Sequence, residues 1–203
     1  MAIKSHGARR RLNHQMNKPL FLWTDIETSG LDEKTGLLLE VAGVLTDFYL
    51  NEIGSVQGVI HYDPNTLAKA IDRDFVWDMH TANGLLNNIS QSKKTTSDVE
   101  DSMLDLLSKI KDGREIIIAG SNVMFDVLWL DTRMPRLMKK LKQRSGGGLL
   151  AYYKLDVSTY YAGFPDEFPK IKLGMAHRAM HDIKASIELH RKMRNIVSFY
   201  RDW

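Results

Sequence analysis

At 203 residues the chain is long enough for one domain with a full hydrophobic core and leaves little room for a second. The absence of cysteine excludes disulfides, thiol catalysis and cysteine-ligated zinc, and it fits a reducing, cytoplasmic setting. With 28 Lys and Arg against 25 Asp and Glu, the net charge of +3 permits a polyanionic partner without requiring one, and no apolar run reaches the roughly 18 residues of a membrane span.

Residues 1–19 carry Lys4, Arg9, Arg10, Arg11 and Lys18 with no acid and no apolar periodicity, and they read as a mobile basic arm. An Arg-rich, acid-free start is also the pattern of an organellar targeting peptide, although this one is short and lacks an apolar face. Phe21 to Leu31 then reads as a buried strand that ends at a polar turn. A strand repeats every two residues, so Asp25 and Glu27 project from one face while Ile26 points to a core. Two like charges so close repel each other unless a cation sits between them, and a divalent metal is the natural candidate. Ordinary strand ends also carry solvated acids, so the pair gains meaning only from the rest of the chain.

Asp32 to Gly36 makes a turn, Leu37 to Asp47 and Glu52 to His61 read as two further strands, and their short link favours antiparallel pairing. Glu40 interrupts an otherwise apolar strand, either supporting the site from its neighbour or sitting as a satisfied or edge acid. From Asp63 to Ser90 the pattern is irregular and helical. Thr95 to Lys111 has helical spacing through Val99, Met103, Leu106, Leu107 and Ile110, with Thr96 or Ser97 as the N-cap. Glu115 to Gly120 is a short apolar run suited to a central parallel strand, and it leads through Ser121 and Asn122 into a helix carrying Asp126. A lone Asp there is usually a cap, yet the join of strand and helix is also where open α/β sheets build sites.

Arg133, Arg136, Lys140 and Arg144 would line one helical face if the helix survives Pro135, as a phosphate-facing stripe or, the better-founded alternative, a solvated face. Ser145 to Gly148 is a flexible break, Leu149 to Val157 reads as the last strand, and an amphipathic helix runs to about Tyr200. His177 and Asp182 are five residues apart, about 140° around a helix, so they share a target only if His177 lies in the loop leading in. His177 and His181 have the spacing of a zinc pair, but no third nitrogen or sulfur ligand accompanies them. The acids suit an oxygen-preferring ion such as Mg²⁺ or Mn²⁺, and His181 reads as a helix-surface residue.

The acids thus stand as Asp25-x-Glu27 on the first strand, Asp126 after a later strand, and Asp182 preceded by His177. With these elements in this order the chain resembles the DEDDh 3'-to-5' exonucleases and, among them, is similar to the oligoribonucleases. The closer resemblance rests on Asp25-Ile26-Glu27-Thr28-Ser29-Gly30-Leu31, His80-Thr81-Ala82-Asn83-Gly84-Leu85, Met134-Pro135-Arg136-Leu137, Leu155-Asp156-Val157-Ser158-Thr159 and His177-Arg178-Ala179, and it extends from about Leu20 to the end. It implies an α/β, ribonuclease H-like fold over residues 20–203: a mixed five-stranded sheet flanked by helices, three antiparallel strands followed by two parallel ones. It implies that Asp25, Glu27, Asp126 and Asp182 hold two Mg²⁺ or Mn²⁺ ions about 3.5–4 Å apart, while His177 acts as general base. The activity implied is 3'-to-5' degradation of short single-stranded RNA to 5'-mononucleotides.

The resemblance also implies substrate contacts. Leu31 matches an apolar wedge between terminal bases, Phe75 a stacking aromatic with Trp77 as its rival, and Thr28 and Asn122 polar contacts beside the site. Ser158 and Thr159, with Tyr152 of the partner subunit, match the groups that cap the 5' end in that family, which implies a homodimer. Three positions depart from the family pattern: Tyr153 replaces the usual Arg, Ser121-Asn122 reverses the usual order, and Lys154 replaces a common Asn. Loss of an Arg able to grip phosphate with two hydrogen bonds weakens a strict dinucleotide preference. The Gly-rich insertion and the basic arm lie outside the family pattern and offer longer RNA, or single-stranded DNA, a place to bind. The runner-up activity is therefore a proofreading-like or general single-strand DNA or RNA exonuclease. An inactive nucleic-acid-binding module is disfavoured, because a dead site has no reason to keep four acids and a His that cost stability.

Overall fold

A computed structural model describes residues 18–71, 73–110, 113–142, 150–168 and 177–199. Most of the basic arm and the Gly-rich break at 145–148 lie outside the described residues. The sheet is organised on β1 (Leu20–Thr28), whose two neighbours are β2 (Leu38–Thr46), antiparallel, and β4 (Ile116–Gly120), parallel. β3 (Glu52–Val59) pairs antiparallel with β2, and β5 (Leu155–Asp156) pairs parallel with β4, giving the order β3-β2-β1-β4-β5. This is the mixed five-stranded sheet flanked by helices that the resemblance implies. The described helices are α1 (Pro64–Ala70), α2 (Asp74–Ala82), α3 (Leu85–Gln91), α4 (Thr96–Ser108), α5 (Val123–Arg133), α6 (Pro135–Lys142), α7 (Thr159–Gly163) and α8 (Ala179–Phe199).

Alternation along β1 assigns its two faces. Leu20, Leu22 and Ile26 join Val41, Leu45 and Ile118 in a core with residues of α4, α5 and α6. Phe21 and Trp23 face the other way, into a second core with Ala42, Val44, Ala119 and the α8 residues Ala179 and Ile183. Each fully buried large side chain contributes roughly 1.5–3 kcal/mol, so both cores hold the strand in register. Asp25 and Glu27 continue the second series and emerge on the α8 side. The third core, around Leu39, Leu67, Leu85 and Ile89, seats α1 to α3.

α4 lies close against the sheet because glycines stand under it. A Cβ on Gly58 would come within 2.5 Å of Val99 Cγ2 and 2.8 Å of Cγ1. Gly58→Ala is expected to cost about 1–3 kcal/mol, the usual scale of overpacking. Equilibrium urea unfolding checks this, and an unchanged midpoint would show that the helix has room to move.

Three local expectations are corrected. α4 is capped one residue earlier than expected, by Thr95, whose hydroxyl accepts from the Asp98 N–H while the Asp98 carboxylate accepts from the Thr95 N–H. The expected helical face from Arg133 to Arg144 does not form, because α5 ends at Arg133 and Pro135 starts a new helix. Arg133 instead donates to the carbonyls of Glu33, Lys34 and Gly36, and Arg136 to the carboxylates of Glu100 and Asp101. Arg144 lies outside the described residues. The last strand is only Leu155–Asp156 rather than Leu149 to Val157: Leu150 makes an isolated bridge to Ile116, after which Tyr152 and Tyr153 turn out to solvent.

On the α8 side, His190 is packed against Phe21, Trp23 and Tyr160, with its Nδ1 2.8 Å from the Tyr160 hydroxyl. Burial, helped by nearby Arg194, pushes this imidazole down from 6.5 to about 4. The unfolded chain therefore takes up this proton first as pH falls, and the contribution to stability is complete above pH 6.5 and lost towards pH 4. His190→Gln is expected to flatten that part of the wild-type dependence, checked by thermal midpoints of both proteins across the window; parallel curves would refute it. Among the described residues, no helix is long and apolar enough to cross a membrane.

Candidate active site

β1 delivers Asp25 and Glu27 to the end of the sheet, where Asp25 pairs with Ala42 and Glu27 with Glu40 of β2. β4 ends beside them at Gly120, and Asn122, held at φ 57° as the N-cap residue, turns the chain into α5. The Asp156 carboxylate accepts from the N–H groups of Asn122, Val123 and Ser158, so β5 fixes the start of the helix that carries Asp126. α8 brings Asp182 in its first turn, and His177 lies in the segment leading into it at φ 39°. Ligand atoms of Glu27, His177 and Asp182 all lie within 4.8 Å of one another. A cleft of about 420 Å³ is lined by Asp25, Asn122, Tyr161, His177, Asp182 and Ser186, among others.

The electrostatics of this end of the sheet are those of crowded acids. Burial, then Asp126, Glu27, Asp182 and Glu40 in turn, push the Asp25 carboxyl up to about 10. Burial, followed by Asp182 and Glu40, pushes Glu27 up to about 8 against the opposing pull of Arg178. Asp126 is raised well above the usual carboxylate range by desolvation. The Arg178 guanidinium is already committed to Glu40, with Nε and Nη2 donating to its two oxygens at 3.0 and 2.9 Å. A cluster of carboxylate oxygens with unspent negative charge fits a hard divalent cation far better than a soft one.

Thr28 donates its hydroxyl to the Gly30 carbonyl. Leu31 is 71% exposed, lining a separate shallow cleft with Lys69 and Arg73, and Phe75 is 72% exposed. Ser158 donates its hydroxyl to Asp156 and Thr159 donates to the Asp156 carbonyl, so both hydroxyls serve the turn after β5. Tyr152 stands wholly in solvent. Tyr153 donates to Glu115, while Lys154 donates to the carbonyls of Ala151 and Tyr152. Tyr161 and Ser186 line the cleft without any signal in the sequence pattern that could have found them.

A family model described as "Exonuclease" matches residues 22–190. The oligoribonuclease of Corynebacterium diphtheriae is 35% identical over 94% of this chain and 85% of its own length. The chain belongs to the oligoribonuclease family of exonucleases. A second member of that family, the probable oligoribonuclease of Schizosaccharomyces pombe, is 32% identical over 91% of this chain and 70% of its own length. Solved structures share the exonuclease fold more distantly. Exonuclease I of Methylocaldum szegediense matches with a TM-score of 0.57 at 16% identity over 87% of this chain, which spans only 40% of that protein. Pop2p of S. pombe, solved in a Mg²⁺- and Mn²⁺-bound form, matches with a TM-score of 0.58 at 12% identity over 94% of this chain and 90% of its own length.

Proposed function

We propose that this oligoribonuclease-family protein is a metal-dependent 3'-to-5' exoribonuclease that degrades short single-stranded RNA to 5'-mononucleotides. The single observation that carries the reading is the convergence of Glu27, His177 and Asp182, whose ligand atoms lie within 4.8 Å of one another, beside the cleft lined by Asp25, with Asp126 close enough for its charge to raise the carboxyls of Asp25 and Glu27. The acids would hold two Mg²⁺ or Mn²⁺ ions, which when bound supply Lewis-acid activation of water and charge stabilisation at the scissile phosphate. His177 takes the proton of the attacking water. The water oxygen bonds to phosphorus as the bond to the 3'-oxygen breaks, the departing 3'-oxygen takes a proton from solvent, and the terminal nucleotide leaves with a 5'-phosphate. The burial that raises Asp25 and Glu27 also excludes bulk water and strengthens each charge interaction at the phosphate.

Leu31, three residues beyond β1, and Phe75, two residues beyond the Arg73 that lines a cleft with Leu31, expose large apolar surface that suits contact with unstacked bases, and Asn122 lines the acidic cleft. Thr28, Ser158 and Thr159 retain lone pairs but spend their donors locally, so they would accept hydrogen bonds rather than donate them. The full exposure of Tyr152 agrees with a role across a homodimer interface. The experiment compares a diribonucleotide with longer oligomers in ribo and deoxy forms under Mg²⁺ or Mn²⁺. Faster turnover of short ribo-oligomers supports the reading; equal or better turnover of long deoxy strands supports a general single-strand exonuclease, and no turnover of any strand refutes an exonuclease.

A further inference from the structure

The motif His80 to Leu85 and the acid Glu40 have no part in the chemistry above, yet both converge on the short segment from His177 to Ala179. Glu40 is fully buried, and its carboxylate accepts four hydrogen bonds: from Gln57 Nε2, from Arg178 Nε and Nη2, and from the Ala179 N–H. The last of these satisfies a free donor at the start of the 21-residue helix α8. On the other side, Asn83 Nδ2 donates to the His177 carbonyl at 2.6 Å, and Arg178 Nη1 donates to the Asn83 carbonyl at 3.4 Å. Asn83 is itself fixed, because its Oδ1 accepts from the Leu85 N–H, and the buried His80 ring donates to the Thr28 carbonyl on β1.

His177 sits at φ 39°, a backbone region that costs a non-glycine residue roughly 1–3 kcal/mol and persists only when its surroundings over-determine it. The contacts just described are those surroundings. They also explain how Glu40 is tolerated directly opposite Glu27 on the same face of the sheet: the Arg178 fork neutralises one acid and leaves the other free for the cleft.

We propose that Asn83, Arg178 and Glu40 are positioning residues, forming a clamp that holds His177 over the acids of β1. This rests on the assignment of His177 as general base. The clamp touches neither substrate nor reacting atoms: Asn83 acts through the placement of the imidazole, and Arg178 through that placement and through the positive charge it sets near Glu27, which Arg178→Lys keeps. A shift of about 1 Å at a reacting group can cost about 10²-fold in rate, so loosening either side of the clamp is expected to lower kcat by at least about 10-fold. KM for a diribonucleotide should stay within about 2-fold, because neither Asn83 nor Arg178 lines the cleft.

The test is a pair of double-mutant cycles, Asn83→Ala and Arg178→Lys each combined with His177→Ala, in single-turnover hydrolysis of a labelled diribonucleotide with Mg²⁺. Arg178→Lys keeps the buried charge balance but loses the two-pronged grip, and Asn83→Ala removes a half-exposed amide, so either serves if the other folds poorly. Each substitution should lower kcat in the wild-type background and change it by less than about 3-fold once His177 is gone. Equal losses in both backgrounds, or kcat within about 2-fold of wild type for both single variants, overturn the clamp. A wild-type protein that leaves RNA intact, or an inconsequential His177→Ala, would instead refute the function on which the clamp rests.

Discussion

Asp25→Asn is expected to lower turnover by at least about 10²-fold and, in the same protein, to raise the thermal midpoint measured in a chelator. The two effects have one cause. Asp25 lies among Asp126, Glu27 and Asp182 in a desolvated cleft, and its carboxyl is pushed from 3.8 up to about 10. Without a cation the folded protein binds this proton more tightly than the unfolded chain, so the contribution to stability is complete below pH 3.8 and falls as pH rises towards 10. At neutral pH the wild type therefore carries a penalty that a neutral amide of the same shape removes. For a chain of this size, each kcal/mol recovered raises the midpoint by about 2–4 °C. The amide also lacks the charge needed to hold a divalent ion, and loss of a preorganised charge-stabilising group costs about 10²–10³ in rate or more. Scanning calorimetry in chelator beside single-turnover hydrolysis in Mg²⁺ checks both halves. A variant as active as wild type, or one less stable in chelator, would contradict the role of Asp25.

His177→Ala is expected to lower kcat by about 10²–10⁴, the range of general-base catalysis, with cation affinity changed far less. The neighbouring acids remain in place in this variant, so the phosphate and ions would still bind while the water keeps its proton. The pH–rate profile of the variant should differ from that of the wild type, because the group that takes the proton is gone. Because the His177 ring nitrogens lie within reach of Glu27 and Asp182, a rival role as metal ligand is separable: cation affinity would then fall with the rate. Calorimetric titration with Mn²⁺ and a pH–rate profile together decide between them.

Some of this site is legible in the sequence for a simple reason: β1 repeats every two residues, so Phe21, Trp23, Asp25 and Glu27 must share a face, and the change from aromatic to acid along it marks where the core gives way to a cleft. The three antiparallel strands follow from their short links, and β4 from its unbroken apolar run. Asp126, Asp182 and His177 carry no such local signal. Each has an ordinary explanation at its own position, and only their order, matched to a family, links them. The role of Asn83 is less visible still, since its amide reaches a carbonyl 94 residues away. The region after the Gly-rich break misleads because Tyr152 and Tyr153 have strand-forming side chains but lie in solvent, and β-propensity reflects burial as much as backbone preference. Arg133 and Arg136 mislead because even spacing of cations does not reveal a helix restart at Pro135.

Whether the cleft acids hold divalent cations for cleavage at the 3' end is decided by a time course on 5'-labelled short RNA with Mg²⁺, with Mn²⁺ and with a chelator. Stepwise shortening of the labelled strand with release of 5'-mononucleotides is expected in either cation, and neither in chelator. Shortening that proceeds undiminished in chelator, or that releases the labelled nucleotide first, would contradict that role.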